Sequence, residues 1–246
     1  MLDRPRVTSS GRYIGEIVGH RARIGYASVG SMVELAPLYF YRIAPKGVTL
    51  ALLTAPSHGW DKPRELAHVF AKAGCDLIML GGMPVDAVAG LAGVDDITRK
   101  LGEELGIPVT SNYRAQADAY KALGARKVAT VHPYDSSRDL HFEGLMGHFG
   151  VEIAGCKGIG SNLVELPLIP KGSALQCARA IKKEHPEADT IFFPNPHWSA
   201  MDDIEAIEKE LNVNVVTSLQ AIIWESLRLC GIRERVQGFG KLLSRH

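Results

Sequence analysis

Three histidines stand directly after apolar runs that are typical of strands, at positions where side chains of parallel sheets often do chemistry. His58 follows TLALLTAPS, His132 follows KVATV and His197 follows TIFFPNP. Because imidazole titrates near neutral pH, these side chains could give or take a proton in catalysis. The carboxyl ends of parallel strands meet at one edge of a sheet. We therefore expect the three histidines to share one cleft, with His197 as the leading catalytic candidate.

A divalent metal is an alternative role for the same histidines, since imidazole and carboxylate are common ligands. Glu34, Asp86 or Asp135 could supply the carboxylate. The chain lacks the HxH and HExxH spacings that mark many zinc sites, so we keep the metal only as an open alternative. The Gly81-Gly82 pair lacks the lysine and the spacing of a P-loop, and no serine stands in the GxSxG pattern of a nucleophile elbow.

Short β-branched runs alternate with longer amphipathic stretches along the chain. This alternation predicts an α/β fold in which strands are followed by helices and form a mostly parallel sheet that is covered on both faces. The predicted strands are residues 24–27, 49–54, 77–80, 108–110, 127–131, 190–193 and 213–217, and the clearest predicted helices are residues 95–105, 113–123 and 201–211.

The second half of the chain repeats the plan of the first half. CDLIMLGGMPVDAV, from residue 75, aligns with ADTIFFPNPHWSAM, from residue 188, so that Asp76 falls on Asp189 and Gly82 falls on Asn195. A DDI triplet and a TS pair then recur in the same order in both halves. We therefore predict two Rossmann-like parallel-sheet lobes that are related by an internal pseudo-twofold repeat.

The repeat also predicts where the domains divide and where a ligand binds. We assign residues 1–112 and 219–246 to the first lobe and residues 113–218 to the second, with a cleft between them. Ligands of open parallel sheets bind beyond the carboxyl ends of the strands. The equivalent loops, which contain Gly82 and Asn195, should therefore flank the binding cleft.

The composition excludes several classes of partner. The 246 residues carry 28 Lys and Arg against 27 Asp and Glu, a formal net charge of +1, so nothing favours nucleic acid or an anionic membrane surface. No apolar run approaches the roughly 20 residues of a membrane span. The four cysteines form no CxxC motif, and the first residues lack the apolar core of a secretory signal. We expect a cytoplasmic protein with a small-molecule partner, and assembly into a homo-oligomer stays open.

The repeat, the loops at 82 and 195, the two TS pairs and the stretch ALGARKVATVHPYD (122–135) resemble the aspartate/glutamate racemase superfamily. Within it, the sequence is most similar to the arylmalonate decarboxylase and maleate isomerase branch. The resemblance covers roughly residues 24–240 and implies two Rossmann-like lobes with cofactor-free chemistry on a small carboxylic acid. In that family, racemases and isomerases use a pair of loop cysteines, whereas the decarboxylase keeps only the second and has glycine at the first.

Both family cysteine positions are substituted in this chain. The first falls on Gly82, as in the decarboxylase, and the second falls on Asn195, which becomes a site candidate by its position. An amide has no readily removable proton, so Asn195 cannot protonate a carbanion as a thiol does. The resemblance places Tyr134 in the family's tyrosine loop, where it could donate to a carboxylate or an enediolate.

Other residues near the predicted strand ends are candidates for binding the substrate. The polar ones could contact the substrate or cap the helices that follow, and both interpretations stay open. These are Ser111, Asn112, Thr217 and Ser218. Met83 has an N–H group that could help to hold a carboxylate. Met83 and Trp198 could also form an apolar wall that suits an aryl or alkyl substituent, with core packing as the alternative.

Three functions are compatible with these residues. The first, which we favour, is a cofactor-independent enzyme that decarboxylates or isomerises a small carboxylic acid through an enediolate, with His197 or Tyr134 delivering the proton. The second is a hydrolase or lyase on the same scaffold that uses histidines or a metal. The third is a non-catalytic protein that binds a small carboxylate. Chelator sensitivity separates the second from the first, and ligand-induced stabilisation without turnover would identify the third.

Overall fold

The computed structural model describes residues 18–29, 34–55, 61–81, 90–162 and 164–246, which form an α/β fold of eight strands and nine α-helices. The strands are β1 (Ala22–Val29), β2 (Val48–Ala55), β3 (Leu77–Leu80), β4 (Val109–Ser111), β5 (Lys127–His132), β6 (Glu152–Gly158), β7 (Thr190–Phe193) and β8 (Asn214–Thr217). The helices are α1 (Leu35–Ile43), α2 (Asp61–Lys72), α3 (Gly90–Leu105), α4 (Asn112–Leu123), α5 (Asp139–Gly147), α6 (Ser173–Glu184), α7 (Ile204–Leu211), α8 (Ser218–Leu229) and α9 (Gly240–Arg245).

The strands form two four-stranded sheets with the same topology. Their orders are β2-β1-β3-β4 and β6-β5-β7-β8, and every pairing is parallel. The central strands β3 and β7 are buried along their whole length, as expected of parallel strands that are covered on both faces. The predicted two-lobed α/β fold is therefore confirmed.

The repeat extends to matching hydrogen bonds at the start of the third strand of each sheet. The Asp76 carboxylate accepts from the backbone N–H of Arg23, and the Asp189 carboxylate accepts from the backbone N–H of Lys127. The backbone N–H groups of Asp76 and Asp189 donate in return to the carbonyls of Arg23 and Lys127. Each aspartate thus ties its own strand to the neighbouring strand by the same reciprocal pair of bonds.

The register corrects the sequence alignment by one residue at the last strand of each sheet. Leu80 pairs with Ser111 in the first sheet, and Phe193 pairs with Thr217 in the second. Ser111 and Thr217 are therefore structural equivalents, although the alignment of the two TS pairs placed Ser111 on Ser218. Ser111 and Thr217 each lie six residues after the leucine that ends the preceding helix, Leu105 or Leu211, so it is the TS pairs themselves that are offset by one residue.

The helices that follow these strands begin with side-chain caps. Ser111 accepts from the backbone N–H of Arg114 at the start of α4, and Thr217 forms a capping box with Gln220 at the start of α8. Helices α4 and α8 pack against each other between the two sheets. One hydrophobic core contains buried residues of both sheets, so the lobes share an interior. The domain boundaries stay a prediction.

Most predicted elements appear with end shifts of one or two residues. Strands β3 and β7 have the predicted bounds, whereas α3 begins at Gly90, before the predicted start at 95. Strand β6, which contains Cys156, is absent from the predicted strands. Cys75 is buried, and the other cysteines are partly buried. Within the described residues, no helix is long and apolar enough to cross a membrane.

Candidate functional site

A cleft of about 170 Å³ lies beyond the carboxyl ends of the strands and draws its walls from both lobes. Strand β1 contributes two hydroxyls, α4 contributes three side chains, and the segments after β5, β7 and β8 contribute the rest. The described residues that line the cleft are Tyr26, Ser28, Asn112, Tyr113, Gln116, Tyr134, Phe142, Leu145, Pro194, Asn195, Pro196, His197 and Ser218. This is the location that the repeat predicted.

Asn195 organises the second-lobe side of the cleft. Its backbone has a φ of +86°, a left-handed conformation that few non-glycine residues adopt. Its side-chain Oδ1 accepts from the backbone N–H of His197 at 2.8 Å, and its Nδ2 donates to the Tyr134 hydroxyl at 2.6 Å. Because the backbone N–H can only donate, it fixes Oδ1 on its own side and turns Nδ2 towards Tyr134. The Asn195 amide thus orients the Tyr134 phenol.

The hydrogen bond from Asn195 determines which way the Tyr134 hydroxyl can donate. An amide nitrogen has no acceptor capacity, so the phenol oxygen accepts and its own proton is directed elsewhere. Tyr134 lines the cleft, and that proton can be given to a bound ligand. Burial raises the pKa of Tyr134 above its usual value, while the bond from Asn195 opposes the rise. The phenol is therefore a neutral donor at physiological pH.

The segment that carries Tyr134 is anchored on both sides. The Tyr134 carbonyl accepts from the backbone N–H of Gly160 at 3.0 Å, and its ring stacks on Phe142 of α5 with centroids 6.0 Å apart. Gly158 at the end of β6 is required here, because a Cβ atom would lie 2.4 Å from the Tyr134 carbonyl oxygen. Backbone and ring packing together fix the hydroxyl in place without help from a ligand.

Ser218 is a second hydroxyl with the same arrangement. Its Oγ accepts from the backbone N–H of Asn195 and from the Nε2 of Gln116, each at 3.1 Å. These two bonds occupy both lone pairs of the oxygen, so the Ser218 proton is available to another acceptor. Ser218 and Tyr134 both line the cleft and both flank Asn195. The cleft therefore presents two preorganised O–H donors.

Another side of the cleft, formed by β1 and α4, has amides and hydroxyls with less complete hydrogen bonding. Asn112 Oδ1 and Gln116 Oε1 on α4 are buried and have no hydrogen-bond partner. Tyr26 and Ser28 of β1 interact through their hydroxyls, and burial raises the pKa of Tyr26 to about 12. Most buried polar groups in proteins are hydrogen-bonded, and these two amide oxygens can accept a hydrogen bond from a ligand.

Of the predicted catalytic residues, the structure brings Tyr134, Asn195 and His197 into the cleft. His197 is 5% exposed and lines the cleft. His132 is fully buried, does not line the cleft, and contacts Asp139 through Nε2 at 2.6 Å. His58 lies outside the described residues.

Of the predicted substrate-binding residues, some line the cleft, some do not, and some lie outside the described residues. Asn112 and Ser218 line the cleft, whereas Ser111 and Thr217 face into their helices as caps. Trp198 is 2% exposed and packs on Phe193 with centroids 5.2 Å apart, so it belongs to the core and not to the cleft wall. Gly82 and Met83 lie outside the described residues.

The alternative of a metal held by several histidines finds no support in the residues that the structure describes. Among them, the one group of three donors within reach of a common ion combines His132 with Asp139 and Cys156, and it does not include His197. Asp135 is engaged as the cap of a short 3-10 helix, where it accepts from the backbone N–H of Ser137. His132 and His197 do not share the cleft as predicted.

Several lining residues escaped the sequence-based prediction, among them Tyr26, Gln116, Phe142 and Leu145. Gln116 follows Asn112 by one helical turn, so an i, i+4 search from the strand end would have found it. Tyr26 precedes Ser28 by two residues and therefore lies on the same face of β1. Phe142 and Leu145 approach the cleft on α5, and no local signal in the sequence indicates this.

Comparison with known proteins places this fold and cleft in a family. The family model described as arylmalonate decarboxylase matches residues 34–243. The arylmalonate decarboxylase of Bordetella bronchiseptica is 25% identical over 203 residues, which cover 81% of this chain and 81% of that protein.

Solved structures show the same fold at lower identity. The structure of unliganded arylmalonate decarboxylase matches with a TM-score of 0.80 and 22% identity, covering 92% of this chain and 100% of that chain. The maleate isomerase of Pseudomonas putida matches with a TM-score of 0.74 and 18% identity, covering 91% of this chain and 98% of that chain.

A maleate cis–trans isomerase of Nocardia farcinica, with a covalently bound succinylcysteine intermediate, matches with a TM-score of 0.75 and 19% identity over 92% of this chain and 99% of that chain. The fold, the family match and the curated sequence relative agree. This chain belongs to the arylmalonate decarboxylase family, a family of lyase- and isomerase-type enzymes in the aspartate/glutamate racemase superfamily.

Proposed function

We propose that this protein is a cofactor-independent enzyme that removes carbon dioxide from a small carboxylic acid through an enediolate, without the family cysteines. The observation that carries the proposal is the pair of hydroxyls of Tyr134 and Ser218. Their oxygens accept hydrogen bonds from Asn195 and its neighbours, so their protons are available to the cleft. Donors fixed in this way stabilise negative charge that develops on a bound carboxylate without having to reorganise.

The reaction that suits such donors is the decarboxylation of an acid that carries a second carboxylate on the same carbon. The bond between that carbon and one carboxylate breaks, carbon dioxide leaves, and the electron pair remains on the substrate as an enediolate. The Tyr134 and Ser218 hydroxyls donate to the enediolate oxygens, where the charge is greatest. A proton then adds to the carbon, giving the monocarboxylic acid, and the proton donor is recharged from water.

His197 is our candidate for delivering that proton to carbon. It lies in the cleft two residues beyond Asn195, and its backbone N–H is fixed by the Asn195 amide oxygen at 2.8 Å. Imidazole exchanges protons with water at neutral pH. Tyr134 is the alternative donor, and separate substitution of the two residues distinguishes them. Asn195 itself acts as a positioning residue for the Tyr134 hydroxyl.

Decarboxylation is favoured over cis–trans isomerisation because the described cleft offers no thiol. The Nocardia farcinica structure carries a succinylcysteine, whereas no cysteine is among the described residues that line this cleft. Burial raises the pKa of Cys156 to about 12 and also raises that of Cys177, so these groups stay thiols and are poor nucleophiles.

The substrate is expected to carry an apolar substituent. Phe142, Leu145 and Tyr113 line the cleft beside the hydroxyl pair. These side chains replace Trp198 as the basis for expecting an aryl or alkyl group, because Trp198 lies in the core. A small disubstituted malonate would place its carboxylates on the hydroxyls and its substituent against this apolar surface.

Proton NMR in D₂O tests the proposal with a panel of aryl- and alkylmalonates, maleate, hydantoins and amino acids, each with and without excess EDTA. We expect a malonate to lose carbon dioxide in the presence of EDTA, and the product to carry deuterium at the carbon that lost it. His197→Gln should slow the reaction, while the exposed control His246→Ala should leave it unchanged. Turnover that EDTA abolishes would favour a metal-dependent lyase, and stabilisation by a malonate without turnover would favour a binding protein.

A further inference from the structure

Three side chains of different chemistry meet behind the wall of the cleft. The ligand-type atoms of His132, Asp139 and Cys156 all lie within 4.8 Å of one another. They provide one nitrogen, one oxygen and one sulfur, the donor types that bind zinc in proteins. None of the three is among the described residues that line the cleft, so this cluster is separate from the hydroxyl pair.

The strand register brings the donors to one face of the second sheet. Thr130 pairs with Cys156 across β5 and β6, and His132 follows Thr130 by two residues, so His132 and Cys156 point to the same side. Helix α5 packs against both strands, and Asp139 is its first residue. The geometry therefore comes from two paired strands and the helix that covers them.

Burial and charge at the cluster bear on cation binding. His132 is fully buried, and its Nε2 contacts the Asp139 carboxylate at 2.6 Å. Burial lowers the pKa of His132, although Asp139 opposes the effect, so the imidazole is held in the neutral form that binds metals. Burial, followed by the charges of Asp139 and Glu143, raises the pKa of Cys156 to about 12. The two carboxylates near this partly buried thiol disfavour the thiolate, and a divalent cation would favour it.

We propose that His132, Asp139 and Cys156 bind a zinc-type divalent cation that clamps the segment carrying Tyr134. His132 and Asp139 bracket that segment, and Cys156 belongs to the neighbouring strand, so an ion shared by all three would tie the loop to the sheet. The described positions of the first lobe that are equivalent to His132 and Cys156 hold Ser28 and Leu52, which supply neither an imidazole nor a thiol. The ion is a structural element and takes no part in the reaction in the cleft.

Binding is accompanied by the loss of one proton. The Cys156 thiol must release its proton to form the bond to the metal, while His132 binds as neutral imidazole and Asp139 as carboxylate. A water molecule or the nearby Glu143 carboxylate can complete the tetrahedral coordination that zinc prefers. Thiolate and imidazole favour zinc or cobalt over magnesium or calcium, which prefer oxygen ligands.

Titration of the metal-free protein with Co²⁺ tests this proposal directly, since cobalt bound to thiolate has a characteristic charge-transfer absorption. We expect this absorption to saturate at one Co²⁺ per chain and to disappear when Zn²⁺ is added. It should be lost in Cys156→Ser and weakened at least roughly tenfold in affinity in Asp139→Asn. The matched control Cys177→Ser, which alters a cysteine on α6, should keep it. Circular dichroism of each variant checks that it is folded.

Thermal unfolding gives a second measurement. At a free Zn²⁺ concentration about 100 times the Kd, the Tm of the wild type should rise by roughly 5–10 °C, and that of Cys156→Ser should not. The proposal is wrong if the wild type shows no thiolate absorption, or if folded Cys156→Ser keeps it. Neither measurement uses catalysis, so the result is independent of the proposed decarboxylation.

Discussion

The two lobes share a scaffold and differ where their strands end. Both sheets have the same order and the same reciprocal bonds at Asp76 and Asp189. At the carboxyl ends, however, the second lobe holds a network around Asn195 in which each hydroxyl has a fixed donor direction. The first lobe contributes Tyr26, whose hydroxyl interacts with Ser28 within its own strand. The hydrogen bonds that join the strands are thus the same in both lobes, whereas the residues at the carboxyl ends of the strands differ.

The helices α4 and α8 also differ in how completely their first residues are hydrogen-bonded. Asn112 and Ser218 are the first residues of α4 and α8, at equivalent positions, and both line the cleft. Ser218 accepts two hydrogen bonds, whereas the Oδ1 of Asn112 has no partner. We infer that the second lobe supplies the fixed groups for chemistry and that the first lobe supplies a surface that adapts to the substrate.

The largest effect should come from removing the Tyr134 hydroxyl. Tyr134→Phe keeps the ring packing on Phe142 and removes one donor to the enediolate, so kcat/KM should fall roughly 100- to 1,000-fold. Tyr26→Phe in the first lobe should lower kcat/KM by less than roughly tenfold, since its hydroxyl bonds within β1. Steady-state kinetics on the best malonate checks both. Equal losses in the two variants would contradict the division between the lobes.

The next largest effect is expected on the pH dependence of stability and concerns Glu225 of α8. The equivalent residue of α4 is Ala119. Burial, together with the charge of Asp118, raises the pKa of Glu225 from 4.5 to about 7. The folded state therefore holds a proton that the unfolded state has lost, and stability falls as the pH rises from about 4.5 through 7. Glu225→Gln should remove this dependence and stabilise the protein by about 2 kcal/mol at pH 8.

Urea unfolding at several pH values measures that change in stability. Glu187→Gln, at an exposed position, is the matched control and should keep the wild-type slope. If Glu225→Gln has the same slope between pH 5 and 7 as the wild type, the assignment of the buried proton to Glu225 is wrong.

A smaller loss of kcat is expected when Asn195 is replaced by glycine. This substitution removes the side chain and allows the backbone to keep its conformation. Asn195→Gly tolerates the φ of +86° and removes the bonds to Tyr134 and to the N–H of His197. The hydroxyl loses its fixed direction, so kcat should fall roughly tenfold with little change in Tm. Asn212→Gly, at the left-handed C-cap of α7, is the control and should leave kcat unchanged. An unchanged kcat in Asn195→Gly would exclude the positioning role.

The smallest effects are expected from substituting the two equivalent aspartates, one in each lobe, and the two losses of stability should be similar. Asp76→Asn and Asp189→Asn each weaken charge-assisted bonds to backbone N–H groups at the start of β1 and β5. We expect each to lower the free energy of unfolding by about 1–2 kcal/mol, measured by urea unfolding, with no effect on kcat. A large loss of activity in either variant would mean that these aspartates do more than join strands.

Much of the fold could be predicted from the sequence because its signals are local. Buried runs such as those of β3 and β7 are continuous and apolar, and the repeat reinforces each of them. Strand β6 escaped prediction because EIAGCKG is a partly exposed edge strand with two glycines and little β-branched character. Gly155 is explained only by the fold, since the ring of His185 lies where its Cβ would be.

The site was harder to predict because its chemistry depends on hydrogen-bond direction. The sequence identified Tyr134, Asn195 and Ser218 by position, but not that Asn195 holds the Tyr134 hydroxyl as an acceptor. The histidines were expected to converge because they follow strands. His132 is the last residue of β5 and points to the face that α5 covers, because the side on which a side chain lies alternates along a strand and is not determined by the position of the strand end.

The most direct test is a comparison of wild type and Tyr134→Phe by proton NMR in D₂O, with the best malonate and excess EDTA. We predict that the wild type decarboxylates the substrate and places deuterium at the carbon that lost carbon dioxide, and that Tyr134→Phe does so roughly 100- to 1,000-fold more slowly. Equal rates in the two proteins, or no decarboxylation of any malonate by the wild type, would contradict cysteine-free catalysis by the second-lobe hydroxyls.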